Sequence, residues 1–140
     1  NLQMNGFNDI VILQKALWHQ ETTLYLDFNF RDNREHSVRT VDKIGMNENA
    51  VKSITLKNIV DANDLKKIDI LKMDIEGAEA EIFRLDTELD LCLNISGNVV
   101  IEIHDEFQCR ANIEQILKNK FNSMEQIGEL TFTKNRIQNV

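Results

Sequence analysis

Ile68-Asp69-Ile70-Leu71-Lys72-Met73-Asp74, running straight into Ile75-Glu76-Gly77-Ala78-Glu79, is the stretch whose reading decides the fold. Its first seven residues form an apolar, strand-type run that closes on a carboxylate. From Ala78 the period changes. Ile82, Leu85, Leu89 and Cys92 recur at helical spacing, with Glu81, Asp86 and Asp90 available for a wet face. The turn signal Ser96-Gly97-Asn98 then leads into Asn98-Val99-Val100-Ile101-Glu102-Ile103, whose continuous apolar character suits a strand covered on both faces. Strand, helix, strand in that order predicts a parallel pair joined by a right-handed crossover.

Outward from this unit the same alternation continues. Ile113, Ile116, Leu117 and Phe121 mark another amphipathic helix, and Leu130-Thr131-Phe132-Thr133 reads as a strand. Upstream, Val51 to Val60 reads as a strand, or a strand entering a short helix. Residues 9–13 and 22–26 read as strands on either side of a polar turn at His19-Gln20-Glu21. Residues 30–49 are polar and weakly patterned, which predicts a long loop of the kind that often serves as a lid. The architecture expected is an open α/β sheet.

Composition narrows the function classes. The 140 residues suffice for one domain with a real core, and 42% apolar with 28% charged residues is ordinary for a globular protein. A net charge of -7 argues against a nucleic-acid partner, which needs clustered basic residues. Lys66-Lys67 and the Lys118/Lys120 pair read as solvated faces. No apolar run approaches the ~20 residues of a membrane span, so no membrane is expected. The start shows no secretory signal, and Asn94-Ile95-Ser96 therefore reads as a chance glycosylation match. Cys92 and Cys109 make neither a close metal-ligand pair nor a disulfide framework, so a reducing cytoplasm is the expected compartment.

Open α/β sheets bind ligands beyond the carboxyl ends of their parallel strands. Two places qualify. One is the turn Asp74-Ile75-Glu76-Gly77, where Gly77 permits a tight turn or a ligand's close approach. The other is Glu102-Ile103-His104-Asp105-Glu106. If the two strands are neighbours, Asp74, Glu76 and His104 converge. Glu79 by itself reads as a helix cap or a solvated acid, and a lone strand-end histidine more often just satisfies a hydrogen bond. Asp74 is different, because a charge closing an apolar strand is costly to bury unless something uses it.

The string Ile70-Leu71-Lys72-Met73-Asp74-Ile75-Glu76-Gly77-Ala78-Glu79 resembles the LLK-(I/M)-D-(I/V)-EGAE signature of the FkbM-like methyltransferases. Ser53-Ile54-Thr55-Leu56-Lys57-Asn58-Ile59-Val60 is similar to the segment that precedes it there, and Glu102-Ile103-His104 to a strand ending in Glu-x-His. Asn8 to Leu17 resembles a family strand ending in Ala16-Leu17, and Gln138-Asn139 the family's last strand. The resemblance implies a class I methyltransferase (Rossmann-like) sheet, mostly parallel with an antiparallel last strand. It implies S-adenosylmethionine as cofactor and a small-molecule or sugar hydroxyl as acceptor. It places the glycine-rich methionine-binding turn and the ribose-binding acid upstream of Asn1. Residues 1–140 are thus expected to be a single partial domain whose N-terminal strands are missing.

Under that resemblance His104, Asp74 and Glu76 are the catalytic candidates, and Gln14, Lys15, Ala16 and Asp74 the cofactor-binding ones. Histidine titrates near neutrality, at ~6.5 when unperturbed, which suits it to take the hydroxyl proton without a metal. Three rivals remain. Asp74, Glu76 and His104 could hold a divalent metal that acidifies the acceptor. The same set could serve a metal-dependent hydrolase. The chain could also be a non-catalytic interaction module, with a second copy or a complementing chain pairing on its open sheet edge.

Overall fold

The computed structural model of the chain describes residues 3–6, 9–27, 39–41 and 50–135. After a 3-10 turn at Gln3–Asn5 come strands β1 (Ala16–Leu17), β2 (Thr23–Asp27), β3 (Arg39–Val41) and β4 (Ala50–Ile54). Helix α1 (Leu56–Ala62), strand β5 (Leu71–Met73) and helices α2 (Ala78–Leu85) and α3 (Leu89–Asn94) follow. Strand β6 (Asn98–Glu102), a 3-10 turn at Asp105–Phe107, helix α4 (Arg110–Lys120) and strands β7 (Ser123–Ile127) and β8 (Leu130–Lys134) complete the order.

The strands form two sheets, ordered β1-β4-β2-β3 and β5-β6-β8-β7. Two pairings are parallel, β1 with β4 and β5 with β6. The other four are antiparallel, so the expectation of a mostly parallel sheet needs correction among the described residues. β8, the last described strand, runs antiparallel to both neighbours; the expected last strand at Gln138-Asn139 lies outside the described residues. Its partner β7 has no alternating pattern in Ser-Met-Glu-Gln-Ile to announce it, and hairpin pairing with β8 through Gly128-Glu129 makes it a strand.

Burial alternates along β6 and β8. Val99, Ile101, Thr131 and Thr133 point into the core, while Val100 and Phe132 are half-buried on the other face. The apolar run at β6 is therefore not covered on both faces by described residues. The packed face meets all four helices. Leu56 and Val60 of α1, Ile82 and Phe83 of α2, Leu89 and Cys92 of α3, and Ile113 and Leu117 of α4 share one core with Met73, Val99 and Ile101. Ile82, Ile113 and Leu117 are fully buried, each contributing roughly 1.5–3 kcal/mol by burial.

Where the sequence suggested one helix from Ala78 to Cys92, the chain makes two. α2 stops at Asp86, whose backbone is extended, and Asp86 Oδ1 accepts the Glu88 N–H at 2.9 Å to turn the chain into α3. Residues 10–14 are exposed and carry no regular structure, and pairing begins only at Ala16, so the strand expected at 9–13 does not form. Apolar composition alone does not make a strand without a partner edge. Arg39–Val41 pairs with β2 where a loop was expected; the rest of residues 30–49, and Gln138-Asn139, lie outside the described residues.

The two sheets meet at α2. Ala78 packs with Trp18 and Leu24, and half-buried Ile75 touches both cores. The Ser53 hydroxyl anchors the turn before β2, donating to Gln20 O at 2.7 Å and accepting from Thr22 N at 2.7 Å. No helix of the described residues is long and apolar enough to cross a membrane.

Candidate functional site

β5 and β6 lie side by side in parallel register, Met73 opposite Ile101, so their carboxyl ends open at one place. The turn after β5 reverses sharply: Glu76 and Gly77 both take left-handed backbone, at φ of 50° and 95°. Such a conformation is strained for a residue with a Cβ. The expected tight turn is present. The reason for glycine is not a ligand, however: a Cβ at Gly77 would come within 2.1 Å of the Phe107 ring. The close approach is made by the loop that follows β6.

That turn delivers Glu79 inward. Its side chain is fully buried, which corrects the solvated reading; the capping reading holds in part, because Glu79 Oε2 accepts the N–H of Gly77 at 3.0 Å. The other oxygen, Oε1, accepts the His104 backbone N–H at 3.1 Å and meets His104 Nδ1 at 2.5 Å. Both carboxylate oxygens are acceptors of backbone N–H groups, so the proton between Glu79 and the ring sits on Nδ1. The other ring nitrogen, Nε2, faces Glu76 and Glu102.

His104 is only 5% exposed at its side chain, and acids surround its outer edge. Glu76 Oε2 lies 3.5 Å from Nε2 and Glu102 Oε1 3.9 Å. Asp74, Glu102 and His104 each offer a ligand atom, and these three atoms lie within 4.8 Å of one another. Asp74 is exposed and pairs with Lys72 at 2.9 Å. Burial pushes the Glu102 carboxyl up from its ordinary pKa, and the nearby Asp74 charge adds to this. On the far side, Arg110 grips Asp105 with Nε–Oδ1 at 2.5 Å and Nη2–Oδ2 at 2.9 Å, and donates to Ile103 O at 3.1 Å. That fork holds the Asp105 carboxyl below its usual range. Glu102, His104, Asp105, Arg110 and Glu129 line a pocket of about 290 Å³.

A larger hollow of about 650 Å³ lies elsewhere, lined by Ile70, Val100, Met124 and Phe132. It opens at the amino ends of β5 and β6 and has only Glu125 and Lys134 as charged lining. The chemistry-bearing groups are at the carboxyl ends.

The structure brings Asp74, Glu76 and His104 together. Of the other residues expected to bind the cofactor, Ala16 packs against the small core of Trp18, Leu24 and Ala78, next to Ile75. Gln14 and Lys15 are exposed before β1. Two members of the site were not singled out from the sequence, Glu79 as the partner of His104 and Arg110 as the clasp on Asp105. A signal for Glu79 existed: it falls three and four residues before Ile82 and Phe83, on the buried stripe of α2.

The fold is mixed α/β with a parallel strand pair, and its polar cluster sits at the carboxyl ends of those strands. Its family is shown by comparison: residues 2–132 match the methyltransferase FkbM domain, and the chain belongs to that family. Neither the curated proteins nor the solved structures contain a match to it.

Proposed function

We propose that the chain is an S-adenosylmethionine-dependent methyltransferase that methylates a hydroxyl of a small molecule or sugar. The observation that carries this reading is the buried Glu79–His104 pair at the end of β6, in a domain of a methyltransferase family. Family membership supplies the reaction type; the pair supplies a base suited to an oxygen acceptor.

S-adenosylmethionine, when bound, supplies an electrophilic methyl group on a sulfonium sulfur. The chain's own part is to place the acceptor and manage its proton. Nε2 takes the hydroxyl proton, while Glu79 holds the ring in one tautomer and stabilises the charge that the ring gains. Glu76 and Asp74, at the same opening, orient the acceptor through its other hydroxyls. The cofactor fits the residues present in one respect. Trp18, 5% exposed, has an indole N–H with no acceptor among the described residues, next to Ala16 and Ala78. A buried donor of this kind calls for an acceptor, which a purine nitrogen or a carboxylate could be. Gln14, Lys15, Ala16 and Asp74 are the residues that would hold the cofactor.

The test is transfer of radiolabelled methyl from S-adenosylmethionine to a panel of sugars and hydroxylated small molecules. We expect His104→Gln to lower turnover by about 10²–10⁴-fold with little change in cofactor affinity by calorimetry. Transfer that survives this substitution at the unmodified rate would remove His104 from the reaction, and labelling of nitrogen acceptors alone would remove the hydroxyl.

A further inference from the structure

We propose that Asp74, Glu102 and His104 form a binding site for one divalent transition-metal cation of the zinc class. This goes beyond the methyl-transfer reading, and cation binding stands or falls independently of it.

The argument starts from His104. A buried carboxylate on one ring nitrogen, with the other nitrogen turned to an opening, is the arrangement that orients a metal-ligating histidine and raises its basicity. Here Glu79 takes Nδ1 at 2.5 Å, in a side chain 5% exposed, and leaves Nε2 directed at carboxylates. Glu102 Oε1, at 3.9 Å from Nε2, is too far for a good hydrogen bond. It is at the right separation for two ligands of one ion. A tetrahedral ion with bonds of ~2.1 Å keeps its ligand atoms about 3.4 Å apart, and the three atoms here already lie within 4.8 Å of one another.

Asp74 is the outer arm, exposed enough to swing in by the remainder. Its partner Lys72, two residues earlier on β5, is also exposed and is easily released to solvent. The three come from two rigid elements, the ends of β5 and β6, whose pairing fixes their separation. Acids crowd this edge, since Glu76 also lies 3.5 Å from Nε2. Like charges brought together at one imidazole edge are relieved by a cation.

One nitrogen with two carboxylate oxygens favours zinc or a similar ion over magnesium, which prefers oxygen ligands and retains its waters. The fourth position faces the pocket lined by Asp105 and Glu129 and is left for water or a ligand. Occupation takes the Nε2 lone pair. A bound cation and proton transfer at Nε2 therefore exclude each other, so the cation competes with the acceptor's deprotonation by the ring.

The experiment titrates the full chain with Zn²⁺ by calorimetry, then with Co²⁺, whose visible bands report a tetrahedral nitrogen–oxygen site, and then with Mg²⁺. One Zn²⁺ per chain is expected, together with Co²⁺ bands. Zn²⁺ affinity should fall by at least tenfold in Glu102→Gln and in Asp74→Asn, both of which leave buried packing untouched. Glu79→Gln should weaken binding by about 10–100-fold, provided its circular dichroism matches the unmodified chain. Absence of a saturable Zn²⁺ signal overturns the proposal. So does Zn²⁺ binding that survives Glu102→Gln and Asp74→Asn, which would place the ion elsewhere, for instance on a cysteine. Tighter binding of Mg²⁺ than of Zn²⁺ overturns the assigned class.

Discussion

Glu79 shows how one side chain can be misread. Within the local string Glu76-Gly77-Ala78-Glu79 it reads as a first-turn acid, yet it is fully buried and accepts from two backbone N–H groups besides facing His104. Asp74 and His104 were legible because strand ends announce themselves by a change of pattern; for Glu79 the helical stripe signalled burial, but not its partner, which lies 25 residues away. Two further consequences belong to this scale. Gly77→Ala should destabilise the chain by about 2 kcal/mol or more, from left-handed backbone strain and from collision with the Phe107 ring. Thermal melting measures it, and in a double-mutant cycle Phe107→Ala should recover part of the loss. An additive cycle would mean that the backbone, not the ring, demands glycine. Burial, with a smaller contribution from Asp86, pushes the Cys92 thiol up to about 11, and burial raises Cys109 as well. Since the thiolate is the reactive form, both cysteines of the native chain should resist iodoacetamide at pH 8 and be alkylated promptly in guanidinium. Fast labelling of the native chain would contradict their burial.

Elements were legible where packing and local preference agree. β6 and α4 fall where periodicity placed them, because their apolar positions point at one core. The single helix read across residues 78–92 fails at Asp86, whose side chain finds the Glu88 N–H more readily than a helix interior lets it. β7 was invisible because only its neighbour makes it a strand. α1 offers the direct test at this scale. The Thr55 hydroxyl accepts the Asn58 N–H at 3.1 Å and caps the helix where β4 ends. Thr55→Ala should cost roughly 1 kcal/mol in urea denaturation, with no change in the slope. By contrast, Ile113→Ala, in the fully buried face of α4, should cost about 2–5 kcal/mol. Equal losses at the two sites would mean that α1 does more than connect.

Across the whole molecule the sequence identified a mixed α/β fold, the parallel β5–β6 pair and the convergence of Asp74, Glu76 and His104, while the direction of most other strands stayed hidden. Direction depends on which strands find each other, and local pattern does not encode that. Among the described residues β5 and β7 flank the second sheet without a further strand, and Ile127 on β7 is 58% exposed. Open edges recruit strands. We therefore expect sedimentation velocity to show concentration-dependent association, reduced when Ile127 is replaced by Lys. A single monomeric species across micromolar to hundred-micromolar concentrations would count against the edge as a contact.

The Glu79 carboxylate ties the turn after β5 to the first residues beyond β6, and this bears on how the molecule assembles. Before β6 arrives, a docked α2 would bury a charge satisfied only by Gly77, an unfavourable state. The strand–helix half is therefore a poor folding intermediate alone, and it gains its footing when His104 is delivered. Delivery of His104 to Glu79 and the pairing of β5 with β6 are expected to occur together: a ribosome-bound chain that has not yet emitted β6 has neither.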